Sequence, residues 1–372
     1  MIPEKMFAQT LREFFSPIGP FLDDETVSEI MINGPDTIFV ERGGKLETTN
    51  ARFSSPDALY AALRNLAQYV GRHFDEHNPV LEARLPDGSR VEAVMPPAAP
   101  EGPSVAIRRF AKNTLTVERL IQFQSMTLEA AQTIQSLVLG KQNIIIAGGT
   151  ASGKTSLLNA ISGLISEGDR IVVIEDAREL QLQKPHVVPL EAQPPDPKGR
   201  GRVTIRDLFK ATLRMRPDRI VVGEIRGGEA IDLIQAMTSG HGGCMTTVHA
   251  NHALDTLHRL ETMALMSDVE MPLIALRAQV SSAIDFVVHT SRLSDGSRCV
   301  TQIAEITGYE PGGGYSFVDI FTRDYQGKDA DGKVLSELVA TGALPGCHEY
   351  LQRQGYPLPR SLYEAHARRA RQ

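Results

Sequence analysis

The chain has 372 residues, of which 42% are hydrophobic and 23% charged, and its formal net charge is −6. This length exceeds what one compact core usually holds, so it predicts two domains of ordinary globular composition. Net acidity argues against a general nucleic-acid binder, and we expect no nucleic-acid partner. The apolar runs are too short to span a membrane, and residues 1–15 lack the apolar core of a signal peptide, so we expect a cytoplasmic protein.

The three cysteines, Cys244, Cys299 and Cys347, lie about fifty residues apart and form no C-x-x-C pair. We therefore expect neither a structural zinc site nor a disulfide framework.

Residues 1–112 alternate between helical and strand-like patterns and predict a smaller α+β domain. Pro86, Asp87 and Gly88 stand between two strand-like runs and predict a hairpin turn. The helices are expected at 3–15, 24–31 and 56–69, and the strands at 37–41, 80–85, 90–94 and 105–110. Residues 113–127 are predicted to be a linker.

Residues 128–372 are predicted to form an α/β domain with a C-terminal extension. A helix over 128–140 is followed by β-rich runs that alternate with helical segments, which is typical of a parallel sheet covered by helices on both faces. These runs lie at 143–147, 170–175, 219–223 and 244–248. Residues 359–372 carry four arginines against one glutamate and predict a solvated helix.

The segment 143–155, NIIIAGGTASGKT, contains the pattern G-x-x-x-x-G-K-[ST] between an apolar strand and a helix. Glycines let such a loop curl so that its N–H groups point at a polyphosphate, and the helix N-terminus adds partial positive charge. Lys154 would reach the β- and γ-phosphates, and the Thr155 hydroxyl would hold Mg²⁺. The residues expected to bind the nucleotide here are Gly148, Gly149, Thr150, Ala151, Ser152, Gly153, Lys154, Thr155 and Ser156.

Three further stretches carry candidate catalytic groups, because a phosphate-binding loop alone leaves kinase, helicase, transporter and switch open. Glu224 ends an apolar strand, where a carboxylate would orient a water molecule near the γ-phosphate. Glu175 and Asp176 end another strand and would bind Mg²⁺ directly or through water, although Asp176 also fits a helix cap. His249 follows a third strand, where it would read the γ-phosphate, pass that signal onward, or stand by without a role.

Arginines often neutralise charge on the γ-phosphate, sometimes from a neighbouring subunit, and the alternative for each is a surface salt bridge. Those that stand out by placement are Arg108, Arg109, Arg206, Arg214 and Arg216.

Together these stretches resemble the secretion ATPase superfamily that powers type II and type IV secretion and type IV pili. Four motifs occur in that family's order: the Walker A loop (148–155), the Asp box (174–180), the Walker B motif (220–224) and the His box (246–249). Longer phrases look most like the Tad/Flp pilus assembly ATPases of the CpaF type. They include SEIMINGPDTIFVERGGKL at 28–46, ARLPDGSRVEAVMPP at 83–97 and LRMRPDRIVVGEIRGGEA at 213–230.

The resemblance implies a RecA-like ATPase domain behind the smaller domain, in subunits that form a homohexameric ring. It implies ATP hydrolysis with Mg²⁺. It also implies that the ring lies in the cytoplasm and is held at the inner membrane by a platform protein, which is its partner. It also makes Arg90, Arg108, Arg206 and Arg216 candidates to contact phosphate. Ala151 stands where the family usually has glycine, which we expect to be tolerated if its φ is negative.

The leading interpretation is a motor that drives pilus assembly, with pilus retraction as a further option. Other functions remain as alternatives. The nearest is the ATPase of a conjugative or type IV secretion channel. A nucleic-acid motor is disfavoured because the chain lacks an aromatic-rich basic stretch. A nucleotide-regulated scaffold without hydrolysis is disfavoured because the chain retains Lys154, Thr155 and Glu224 together.

Overall fold

A computed structural model describes residues 4–110, 115–196, 198–310, 312 and 314–369. The chain divides into two compact units. The first comprises Met1–Asn113 and Pro195–Arg202, and the second Thr114–Pro194 and Val203–Gln372.

The first unit is an antiparallel sheet with helices, and its described strands run in the order β3-β2-β1-β6-β5-β4. Its helices are α1 (Glu4–Phe14), α2 (Gly19–Asp23) and α3 (Pro56–Tyr69). Its strands are β1 (Val27–Asn33), β2 (Thr37–Arg42), β3 (Lys45–Thr48), β4 (Val80–Arg84), β5 (Arg90–Val94) and β6 (Ser104–Arg108).

Helix α3 illustrates how local signals set an element in this unit. Ser55 caps it by accepting the N–H of Ala58, and Pro56 occupies its first turn. Its apolar stripe, which includes Leu59, Leu63 and Leu66, is fully buried against the sheet. The helix predicted over 56–69 is therefore confirmed.

The helix predicted over 24–31 is wrong, because β1 covers most of that segment. Val27, Ile30 and Ile32 are buried in the core, and β1 pairs with β2 on one side and β6 on the other. Pairing on both edges with β-branched side chains outweighs the apparent helical periodicity.

The second unit contains a nine-stranded sheet among its described residues, in the order β15-β14-β13-β12-β7-β11-β10-β8-β9. Its strands are β7 (Ile144–Gly148), β8 (Ile171–Glu175), β9 (Val187–Glu191), β10 (Arg219–Val222), β11 (Met245–His249), β12 (Phe286–Arg292), β13 (Arg298–Glu310), β14 (Gly314–Lys328) and β15 (Val334–Ala340). The helices are α4 (Val117–Gln122), α5 (Leu128–Leu139), α6 (Lys154–Ser162), α7 (Ile205–Thr212), α8 (Ala230–Thr238), α9 (Ala253–Leu265), α10 (Leu273–Ala283), α11 (His348–Arg353) and α12 (Arg360–Arg369).

The predicted runs at 143–147, 170–175, 219–223 and 244–248 correspond to β7, β8, β10 and β11, which are parallel as predicted. The sheet also contains strands that the sequence analysis did not predict. Strands β12, β7, β11, β10, β8 and β9 are parallel, whereas β13, β14 and β15 continue the sheet as antiparallel hairpins. Helices do cover both faces. Alternate residues of β7 enter two different cores, Ile144 and Ile146 on one face and Ile145 and Ala147 on the other.

The segment predicted as a linker over 113–127 overlaps α4, and its residues 113 and 114 lie outside the described part. Val117 and Leu120 of α4 are buried in the core of the second unit. In the described part of the chain, no helix combines the length and apolarity needed to cross a membrane.

Candidate nucleotide site

The carboxyl ends of four neighbouring parallel strands bring the predicted motifs to one edge of the sheet. The last residue of β7, Gly148, lies opposite His249, the last residue of β11. Strand β10, which leads to Glu224, pairs with β11 and with β8, which ends at Glu175. This edge is where open α/β sheets bind their ligands.

The Walker A loop has the form of a phosphate cradle. Gly153 adopts a φ of 93° and lies immediately before α6, whose first residues are Lys154 and Thr155. The Thr290 hydroxyl of β12 donates to Ser152 O at 3.0 Å and holds the loop to the sheet. Space is open where a Cβ of Gly149 would stand, and the buried Ser152 hydroxyl has no hydrogen-bond partner among the described residues. An open loop with an unpaired buried donor fits a bound polyphosphate.

Ala151 departs from the expectation of a negative φ, because its φ is 57°. A side chain in this left-handed region costs about 1–2 kcal/mol. Residue 151 therefore keeps a backbone conformation that glycine adopts without cost, although its side chain is alanine.

Lys154, His249 and Glu224 form a continuous chain of contacts across the site. The Lys154 ammonium donates to Gly149 O at 2.9 Å and lies 3.4 Å from both ring nitrogens of His249. His249 Nε2 lies 2.9 Å from Glu224 Oε1. The Walker A lysine is thus linked through one imidazole to the Walker B carboxylate.

Burial, together with the positive charge of Lys154, lowers the pKa of His249 below the ordinary 6.5, although Glu224 opposes that change. This environment favours the neutral imidazole. In the tautomer with its proton on Nε2, His249 would donate to Glu224, and Nδ1 would be left to accept from Lys154.

Arg226 contacts the predicted catalytic carboxylate of Glu224, although the sequence analysis did not single it out. Its Nε and Nη2 donate to Glu224 Oε2 at 2.8 and 2.5 Å. The signal in the sequence was its position two residues after Glu224, in the turn that follows β10.

Glu175 is almost completely buried, with 3% of its surface exposed. Its Oε1 accepts the N–H groups of Glu179 and Leu180, each at 2.9 Å, and so closes the Asp box loop. Burial nevertheless raises its pKa to about 7. Glu175 therefore fixes the Asp box loop in this structure. Its predicted role as a ligand of Mg²⁺ stays a prediction.

Gly223 explains why the Walker B strand ends in Gly-Glu. A Cβ at residue 223 would stand 2.9 Å from Glu175 Cγ, so any larger residue would press on the buried carboxyl group. The Thr247 hydroxyl of β11 also donates to Gly223 O at 2.7 Å.

The predicted metal ligands are not gathered into a protein-only metal site. Thr155 is half-buried in the first turn of α6, and Asp176 is exposed after β8. Among the described residues no group of three His, Cys, Asp or Glu side chains could hold a metal ion. Mg²⁺ would therefore need oxygens of a bound nucleotide in addition to Thr155.

The predicted arginines lie in different parts of the chain. In the first unit, Arg90 and Arg108 are register partners on β5 and β6, and Arg90 pairs with Glu82 at 2.6 Å. In the second unit, Arg206 of α7 pairs with Asp232 at 2.8 Å and also with Asp268.

Arg216 is exposed and precedes β10. Because β10 runs parallel to the neighbours of β7, Arg216 lies towards the opposite edge of the sheet from the Walker A loop. The four predicted phosphate contacts by arginine stay predictions.

Residues 12–327 match the family described as Type II/IV secretion system protein, and the chain belongs to this family. Conjugal transfer protein TrbB of Rhizobium radiobacter is 35% identical over 292 residues, covering 77% of this chain and 86% of that protein. Type IV secretion system protein PtlH of Bordetella pertussis is 34% identical over 301 residues, covering 74% and 88%.

Among solved structures, the Legionella pneumophila ATPase DotB is similar, with a TM-score of 0.55 at 21% identity. The likeness covers 77% of this chain and 79% of that structure. It supports the fold, an α/β domain preceded by a smaller α+β domain, which confirms the predicted fold class. The predicted superfamily is confirmed by the family match.

Proposed function

We propose that this chain is an ATP-hydrolysing motor subunit of a type II/IV secretion or pilus machine. The observation that carries the proposal is the contact chain from Lys154 through His249 to Glu224, with separations of 3.4 and 2.9 Å. It joins a group that binds phosphate to a carboxylate that can orient water, and ATP hydrolysis needs both in one place.

Each side chain has a defined task in this account. Lys154 binds the β- and γ-phosphates, and the Thr155 hydroxyl holds Mg²⁺, with Asp176 reaching it through water. Bound Mg²⁺ would neutralise phosphate charge. Glu224 orients the attacking water, and His249 reports to it whether Lys154 is engaged with phosphate.

The assembly proposed is a homohexamer that works from the cytoplasm at the inner membrane through a platform protein. The family match supports a membrane-machine role. The CpaF-like phrases favour a Tad/type IV-like pilus as the machine. The names of the relatives, a conjugal transfer protein and a type IV secretion protein, favour a conjugative or secretion channel instead. Deleting the gene and scoring both pilus assembly and conjugative transfer, with complementation by wild type or Lys154→Ala, separates these two candidates.

ATP turnover per subunit, measured across a wide range of protein concentration, tests the ring motor. Lys154→Ala serves as the blank, because it removes the phosphate-binding ammonium. We expect a rate per subunit that rises steeply with concentration, together with a sedimenting species of hexamer size. Turnover equal to the blank at every concentration would contradict hydrolysis, and full activity in a sedimenting monomer would contradict the ring.

A further inference from the structure

Both carboxylate oxygens of Glu224 are held in this structure. Oε1 faces His249 Nε2 at 2.9 Å, and Oε2 accepts from Arg226 Nε and Nη2 at 2.8 and 2.5 Å. A carboxylate that orients an attacking water must offer it an oxygen lone pair. The charge-assisted grip of Arg226 is the stronger of the two contacts, since it comprises two short bonds from one planar guanidinium.

The backbone around Arg226 presents this side chain to Glu224. The N–H groups of Arg226 and Gly227 donate to Glu229 Oε1 at 2.8 and 3.0 Å. The preceding Ile225 is buried, and its N–H donates to Thr247 O at 3.1 Å. The turn is therefore anchored on both sides, and the fold sets the position from which the guanidinium reaches Glu224.

The guanidinium also has a second set of acceptors within electrostatic range. Burial opposes its charge, but the hydrogen bond to Glu224 and the negative charges of Glu224, Asp176 and Glu179 outweigh burial and raise the pKa of Arg226. Asp176 and Glu179 belong to the Asp box, next to Walker B in the sheet. The Arg226 side chain is 56% exposed, so it is free to change partner.

We propose that Arg226 is a positioning residue that restrains Glu224 in the nucleotide-free site. When ATP occupies the Walker A loop, the guanidinium moves to Glu179, because Asp176 is then engaged with Mg²⁺ through water, and Oε2 of Glu224 becomes available to the attacking water. This inference rests on the proposed ATPase function. We call the Arg226–Glu224 contact the clamp. Part of the ATP binding energy is then used to open the clamp, which weakens the apparent affinity for ATP.

The test compares steady-state ATP hydrolysis by wild type, Arg226→Gln and Arg226→Lys. We expect Arg226→Gln to raise kcat/KM by about 3–10-fold through a lower KM, with kcat at least equal to that of wild type. Arg226→Lys keeps the charge but offers no planar fork, so its rise should be smaller. Arg353→Gln, which changes an exposed arginine of α11, is the control and should leave kcat and KM unchanged.

A fall in kcat for Arg226→Gln would overturn the restraint, because Arg226 would then support Glu224 during the reaction. Unchanged kcat/KM would overturn it as well. All three variants are expected to unfold at the wild-type temperature, since the side chains of Arg226 and Arg353 are both exposed.

Equilibrium ATP binding to the same proteins separates this inference from the proposed function. Wild-type turnover no higher than that of Lys154→Ala would contradict the proposed hydrolysis. Tighter ATP binding by Arg226→Gln than by wild type would still support the clamp, and equal binding would contradict it.

Discussion

Gly223 couples the Walker B strand end to the Asp box, and Gly223→Ala tests that coupling. The added Cβ would stand 2.9 Å from Glu175 Cγ and 3.3 Å from Glu175 Oε1. Because Glu175 is buried, it must shift within a packed interior, and overpacking of this kind costs about 1–3 kcal/mol. The shift also weakens two N–H bonds to Oε1, each worth about 1 kcal/mol. We expect the free energy of unfolding to fall by about 2–3 kcal/mol.

Urea unfolding followed by circular dichroism measures this loss, and ATP turnover should fall in parallel as the Asp box moves. Gly168→Ala is a matched control, because its Cβ would meet open space and its φ is not positive. The control should leave stability equal to wild type or about 0.5 kcal/mol higher. The reasoning would be refuted if both variants unfolded at the same urea concentration.

Three further changes give distinct expectations. Ala151→Gly should keep ATP affinity, whereas Ala151→Val should lose it in a binding titration, because a β-branched residue does not tolerate a φ of 57°. Glu175→Gln should gain stability relative to wild type as pH rises from about 4.5 to 8. The pKa of Glu175 is raised to about 7, so the native state holds a proton that the unfolded chain releases. Wild-type stability therefore falls over that pH range by about 3 kcal/mol. An unchanged difference across pH would contradict this. Arg206→Ala should lower the urea midpoint, since it leaves the buried Asp232 without its 2.8 Å partner; a wild-type midpoint would count against that pairing.

Local signals in the sequence were sufficient for the elements that carry the motifs. The apolar run at 143–147 predicted β7 within one residue of its observed ends, and the glycine spacing predicted the loop and the helix that follows it. Strands β8 and β11, which end at Glu175 and His249, and β10, which leads to Glu224, were likewise placed from short apolar runs. Fully buried parallel strands are nearly continuous in hydrophobic residues.

Elements that depend on distant partners could not be predicted in the same way. Strand β1 is specified by pairing with β6, about seventy residues away. The hairpins β12–β15 extend the sheet by antiparallel pairing that their own periodicity does not announce.

The same limit applies to the site. The contact between Gly223 and Glu175 joins residues from two strands, and the grip of Arg226 on Glu224 depends on a turn fixed by Glu229. Spacing identified the individual groups, but only their three-dimensional arrangement shows which of them touch.

Glu224 is proposed to orient water for hydrolysis of an ATP bound at the Walker A loop. The most direct measurement compares ATP affinity and single-turnover hydrolysis for wild type and Glu224→Gln. We predict that Glu224→Gln binds ATP at least as tightly as wild type but hydrolyses it at least about 100-fold more slowly, because the phosphate contacts remain while water positioning is lost. Hydrolysis by Glu224→Gln at the wild-type rate would contradict this role of Glu224.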